Sequence, residues 1–311
     1  ISGTEFPDPE RLAWPIFIVE GSGVEKPIPS LPGQYYYSID RLPFAVEPVA
    51  KKGVRTFLLF GMIDRSRKSG EGEPAWAPSG VVQRGLSVLK EEFGDLTLVA
   101  DTGLSGYTDH GQAGIVDEHG RIDNDRTLEA LAKIAVSQAD AGAICVAPSG
   151  MMDGQVQHIR SALDAAGRQD VLIMSYSTKF HSDLYDPSPY AVQAPRRENP
   201  LTKTYLLPPA DSIQAVREAR LDESEGADLV MVKPAIFYLD IIAKTRAAVD
   251  IPVVAYSVSG EYAMIHASAD QHFASLYALA KESLLAIRRA GADLIITYWA
   301  NQYDKLMEAK L

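Results

Sequence analysis

Eight short apolar runs, rich in β-branched and aromatic residues, recur along the chain at 14–19, 56–60, 96–100, 143–147, 171–176, 229–233, 252–257 and 294–299. Each is apolar at most positions and does not alternate, the pattern of a strand covered on both faces. Between them lie segments with helical periodicity at 84–93, 125–141, 155–166, 211–225, 239–249 and 271–290. The alternation predicts an α/β fold, a (β/α)8 TIM barrel, since eight parallel strands close that barrel. Asp125 and Asp211 stand where helix N-caps are expected, and Gly142, Gly226 and Gly291 stand at helix ends. Residues 1–13 read as a short N-terminal arm, and 14–311 as a single barrel domain.

Polar residues collect at the far ends of these strands: Asp101, Ser149, Lys179, Lys233, Ser259 and Tyr298. That is the face on which barrels carry active sites. The loops at 61–79 and 183–209 are long; the second holds six prolines among polar residues and follows Lys179, so it is read as a lid.

Lys179 and Lys233 each end a run that has no other charge, on consecutive strands. A salt-bridged strand-end lysine is the ordinary explanation of either one alone. Two together on the catalytic face point to Schiff-base chemistry, because neighbouring buried ammonium groups lower each other's pKa and free an amine to attack a carbonyl. Other signals are weaker. The glycine-rich stretch 101–114 lacks the lysine and spacing of a phosphate loop and reads equally as a mobile loop. His110 has no visible partner. Asp153 is explained by a helix cap, and the hydroxyls of Ser259 and Tyr298 either bind a carboxylate or are satisfied internally. Tyr176, on the strand of the first lysine, is a further substrate-binding candidate.

Composition narrows the class. With 46% hydrophobic and 23% charged residues the chain is an ordinary globular protein, and its net charge of −11 argues against nucleic acid or an anionic membrane as partner. Cys145 is the single cysteine, so neither a disulfide framework nor a thiolate metal cluster is expected, and a cytoplasmic setting fits. There is no run of about 18 apolar residues, and the first residues lack the features of a signal peptide.

The phrases PGQYYYSID (32–40), YTDHGQAGIV (107–116), APSGMMDGQV (147–156), IMSYSTKF (173–180), EGADLVMVKPAIFYLDII (225–242), AYSVSGEYAMI (255–265) and RRAGADLIITY (288–298) resemble porphobilinogen synthase, also called δ-aminolevulinic acid dehydratase. They span nearly the whole chain in order. The resemblance implies a lyase that joins two 5-aminolevulinate molecules into a pyrrole with loss of water, in tetrapyrrole and haem biosynthesis. Lys233 matches the Schiff-base lysine of the propionate-side substrate, and Lys179 the lysine that holds the second substrate. Ser259 and Tyr298 match carboxylate-binding hydroxyls, and Asp101 and Ser149 match groups around the amino nitrogen. Glu218 matches the glutamate of an allosteric magnesium site in some members. A homo-oligomer, dimer or larger, is also implied, although the arm before Trp14 is short.

The departures bear on mechanism. Zinc-dependent relatives carry three cysteines where this chain has Gly103, Ser105 and Ala113; another branch has aspartates, also absent here. No cofactor is therefore expected at the active site. The family's Tyr-Gly-Pro-Phe-Arg is replaced by Tyr185, Asp186, Pro187, Ser188 and Pro189, and a second arginine and a glutamine by Thr202 and Leu206. Charge-assisted hydrogen bonds from such anchors are worth about 1.5–3 kcal/mol each. Arg196, Arg197 and Lys203 are the candidates to replace them; a solvated basic turn is the alternative. Three functions are open: a metal-independent porphobilinogen synthase with an altered second-substrate pocket; a paralogue pairing 5-aminolevulinate or a related amino ketone with another partner; and a non-catalytic binding homologue, against which both lysines argue.

Overall fold

A computed structural model of the chain describes residues 6–185 and 200–310. Eight parallel strands close into a barrel: β1 Leu12–Val19, β2 Thr56–Met62, β3 Thr97–Thr102, β4 Cys145–Pro148, β5 Leu172–Lys179, β6 Leu229–Lys233, β7 Val253–Tyr256 and β8 Leu294–Ile296. Each pairs with its sequence neighbours, and β8 returns to β1 through Leu12↔Ile295 and Ala13↔Ile296. Every one of the eight apolar runs supplies one strand. They are apolar at most positions because one face fills the barrel and the other receives helices; β4 and β7 are buried at every position.

Among the described residues there are nine helices: α1 Leu42–Ala50, α2 Val81–Glu92, α3 Asn124–Asp140, α4 Gln155–Ala165, α5 Ser212–Ser224, α6 Leu239–Arg246, α7 Ser259–Asp270, α8 Leu276–Ala290 and α9 Tyr303–Glu308. The six expected helical segments correspond to α2, α3, α4, α5, α6 and α8. Helix α1 escaped periodicity because it is short and carries Pro48 inside. Helix α7, which begins at Ser259, was not among the expected helical segments.

Asp211 caps α5, accepting from the amides of Ile213 and Gln214 at 3.1 and 2.9 Å. The cap of α3 is Asp123, which accepts from the amide of Arg126, and Asp125 sits in the first turn instead. Asp153 does not cap α4; the N-cap there is Gly154 in a left-handed conformation, and the Asp153 carbonyl accepts from Asn124 Nδ2 at 3.0 Å. Gly142, Gly226 and Gly291 have φ of 108°, 102° and 119° at the helix-to-strand turns, a region that side chains disfavour.

Two local features set up the site. The strand Tyr35–Ser38 pairs parallel with the end of β1 and antiparallel with Glu25–Pro27. Gln34, just before it, accepts from Trp14 Nε1 at 2.9 Å and donates to the Tyr298 carbonyl at 3.1 Å, tying β1 to the turn after β8. The second feature is a bulge in β5: Val230 pairs with Ser175 and Val232 with Thr178, so Met231 alone faces Tyr176 and Ser177. A bulge breaks the two-residue side-chain alternation and re-aims the side chains beyond it.

Candidate active site

That bulge puts Tyr176 and Lys179 on the same side of β5, which regular spacing would forbid for residues three apart. Lys179 pairs with Lys233 across β5 and β6, and both side chains are buried at the C-terminal mouth of the barrel. The Lys179 amine donates to the Ser149 carbonyl at 2.8 Å and lies 5.6 Å from the centre of the Tyr176 ring. The Lys233 amine sits 4.4 Å from the Tyr256 ring, 5.1 Å from Tyr176 and 5.3 Å from Tyr185. These rings accommodate a cation through their negative faces while excluding water.

Desolvation governs both amines. Burial pushes Lys179 down from the ordinary lysine value to about 8, against the opposing pull of the Asp101 carboxylate. Burial also drives Lys233 well below that value, helped by the charge of Lys179 and opposed by Asp101 and Glu261. A neutral amine is thereby accessible near neutral pH, the condition for attack on a carbonyl.

Asp101, near the end of β3, is held by its carbonyl, which accepts from buried Gln138 Nε2 at 2.8 Å. Asp101 and Ser149 converge beside Gly103: a Cβ at Gly103 would collide with the Ser149 hydroxyl and lie 3.4 Å from Asp101 Oδ2. Tyr298 opens the turn after β8, stacks on Phe17 at 6.2 Å and hydrogen-bonds with Tyr256, which links it to the Lys233 wall. The hydroxyl of Ser259, first residue of α7, donates to the Leu184 carbonyl at 3.4 Å. The structure thus gathers Lys179, Lys233, Asp101, Ser149, Tyr176 and Tyr298 around one mouth.

Of the 183–209 segment read as a lid, residues 183–185 and 200–209 are among the described residues. Arg196 and Arg197 lie outside the described residues, and Lys203 is exposed on the 3-10 turn Pro200–Thr204. Thr202 and Leu206 are buried. Between them Tyr205 donates to Gln112 Oε1 at 2.9 Å and accepts from the Ala113 amide at 3.4 Å, so this limb rests on the 101–114 loop. The Leu207 amide donates to the Lys179 carbonyl at 3.0 Å, fastening the limb to the end of β5.

Gly103, Ser105 and Ala113 offer no thiolate or imidazole for zinc. Among the described residues, no group of three or more His, Cys, Asp or Glu is placed to hold a metal ion. Glu218 instead lines a separate cavity of about 390 Å³ on the outer side of β5, with Asp153, Asp222 and Glu225. There Ser175 Oγ donates to Asp222 at 2.6 Å, and burial lifts the Asp222 carboxyl up to about 6. Oxygen donors of this kind suit a hydrated hard dication, which needs few direct protein ligands.

Two residues around Lys233 went unread in the sequence, Tyr256 and Glu261, and Tyr185 was read only as the first position of the 185–189 stretch. Glu261 had a signal, being the lone charge in 255–265, the same criterion that singled out the lysines.

The family model described as delta-aminolevulinic acid dehydratase matches residues 4–306. The chain is 45% identical over 294 residues to the delta-aminolevulinic acid dehydratase of Halalkalibacterium halodurans, covering 94% of this chain and 88% of that protein. It is 46% identical over 291 residues to that of Methanothermus sociabilis, covering 94% and 89%. The crystal structure of delta-aminolevulinic acid dehydratase (porphobilinogen synthase) from Toxoplasma gondii, in complex with the reaction product porphobilinogen, superposes with a TM-score of 0.93 at 42% identity, covering 96% of this chain and 85% of that one.

Proposed function

Because the chain belongs to the delta-aminolevulinic acid dehydratase family and is a lyase of the porphobilinogen synthase type, we propose that it joins two 5-aminolevulinate molecules through Schiff bases on Lys233 and Lys179, without a metal at those lysines and with an altered second-substrate pocket. The observation that carries this reading is the pairing of two desolvated amines across adjacent strand ends, sharing the Tyr176 ring. Lys233, walled by Tyr176, Tyr185 and Tyr256, takes the propionate-side substrate, and Ser259 and Tyr298 receive its carboxylate. Lys179 holds the second substrate and exchanges protons with it during ring closure. Asp101 and Ser149 receive the amino group, a cation that an acidic oxygen stabilises.

The altered pocket is supported by Thr202 and Leu206, buried and uncharged where the family places an arginine and a glutamine. The same two residues favour the second reading, that another amino ketone fills this position. Metal independence is supported by the residue types at Gly103, Ser105 and Ala113, and a magnesium ion at Glu218 by the oxygen-lined cavity. A reducing, cytoplasmic setting is supported by the one buried cysteine, Cys145. Homo-oligomer formation is carried over from the family.

The test is the mass of the product from purified protein and 5-aminolevulinate alone. Porphobilinogen is the expected product. Consumption of 5-aminolevulinate only when a second amino ketone is present would replace the first reading with the second.

A further inference from the structure

Glu261 is a buried carboxyl that the chemistry above leaves without a task. It stands in the first turn of α7, 1% exposed, and its two oxygens face in two directions. Oε2 accepts from the amide of Val258 at 2.5 Å, closing the N-terminus of its own helix. Oε1 accepts from the amides of Ala235, at 2.9 Å, and Ile236, in the turn that follows Lys233. The Ser257 hydroxyl adds a further hydrogen bond. One carboxylate thus fastens the segment after β6 to the segment after β7. These donors favour the charged form and so partly offset the cost of burying it.

We propose that Glu261 is a positioning residue for Lys233: its carboxylate clamps the turn behind the lysine to α7 and supplies the negative charge that balances the iminium formed there. The proposal rests on the Schiff-base reading above. In that step the lysine nitrogen forms a C–N bond to the substrate carbonyl carbon. The carbonyl oxygen leaves as water, carrying one proton from the amine and one taken up from solvent, and a cationic C=N–H group remains. The site must then hold a fixed positive charge away from water. Asp101 and Glu261 are the carboxylates whose charge acts on Lys233, and Glu261 is the one bonded to its own loop.

Other groups face this pair. Lys233 meets Lys179 and Tyr176 from β5, Asp101 from β3, Tyr256 from β7 and Tyr185 beyond β5. Burial raises Tyr185 and Tyr238, and the Glu261 charge adds to both. Burial lifts Glu261 itself up to about 7 despite its donors, so it is ionised above neutrality.

Borohydride trapping of 5-aminolevulinate on Lys233, read by peptide mass across pH in the full-length protein, tests the proposal with E261Q and E261D. E261Q removes the charge: the acidic edge of the trapping profile is expected to move to lower pH, because Lys233 then releases its proton more readily, and the rate at the optimum to fall about tenfold or more. E261D keeps the charge and shortens the reach: the edge is expected to stay while the rate falls about tenfold. An E261Q edge that coincides with wild type, or an E261D rate equal to wild type, overturns the proposal; the second comparison holds even where E261Q does not fold. No Lys233 adduct in the wild-type protein overturns the Schiff-base reading itself, and the proposal with it.

Discussion

Lys179 illustrates how function is carried against stability at the level of one side chain. Its folded-state pKa of about 8 lies below the ordinary lysine value, so burying the ammonium costs about 3 kcal/mol at neutral pH. Linkage sets the sign: the unfolded chain binds the extra proton, so the cost is full below pH 8 and disappears as pH rises towards the unfolded lysine value. Lys179→Met fills a similar volume without the charge and is therefore expected to lose activity yet raise Tm at pH 7 by about 2–5 °C, with the gain shrinking by pH 10. Thermal melts at the two pH values check it; a lower Tm at pH 7 would mean that the amine is better solvated than its burial implies. Both lysines were legible in the sequence because a charge ending an apolar run has few explanations. Tyr256 was not, since an aromatic residue at the end of a barrel strand ordinarily means core.

Among elements, the clearest dependence is that of the 180–185 segment on α7. The Gly260 amide donates to the Leu184 carbonyl at 2.8 Å, and a Cβ at Gly260 would collide with that carbonyl oxygen and lie 2.7 Å from the Leu184 Cα. Backbone cannot swing aside as a side-chain tip can, so Gly260→Ala must displace the 180–185 segment, which carries Tyr185 and its hydrogen bond to the Phe180 carbonyl at 2.8 Å. The expected result is a fall of about tenfold or more in kcat/KM with a destabilisation of about 1–3 kcal/mol and an unchanged circular dichroism spectrum. Full activity in this variant would show that the wall of Tyr185 is dispensable. All eight strands were readable from apolar runs because a parallel barrel buries both strand faces. The β5 bulge was not, because Tyr176 and Lys179 point the same way only through pairing with β6, a non-local fact that alternation within one strand cannot contain. Likewise α7 hid behind Ser-Gly, whose glycine serves a close approach of distant backbone and not a turn.

At the scale of the whole molecule, the barrel separates two charged compartments on either side of β5. Inside, cationic lysines meet Asp101; outside, Ser175 reaches Asp222 in the cavity shared with Glu218, Asp153 and Glu225. These compartments differ in the donor atoms they present. At Gly103, Ser105 and Ala113 the inner one offers a soft metal no thiolate or imidazole. The outer one concentrates carboxylates in a chain whose net charge is already −11, and burial raises Glu218 above the ordinary carboxyl value, a cost that a bound dication would relieve. Met151, which accepts from the Lys179 amide through its Sδ at 3.3 Å, also lines the outer cavity, so occupancy there touches the strand that carries the lysine. Chelation with EDTA is therefore expected to leave basal turnover within about twofold, whereas added magnesium raises it in the wild-type protein and not in Glu218→Gln. Measuring turnover with EDTA, magnesium and an equal ionic strength of sodium separates a bound dication from general screening of the acidic surface. Loss of turnover on chelation, restored by zinc, would mean that the lysine pocket recruits a metal through ligands other than Gly103, Ser105 and Ala113.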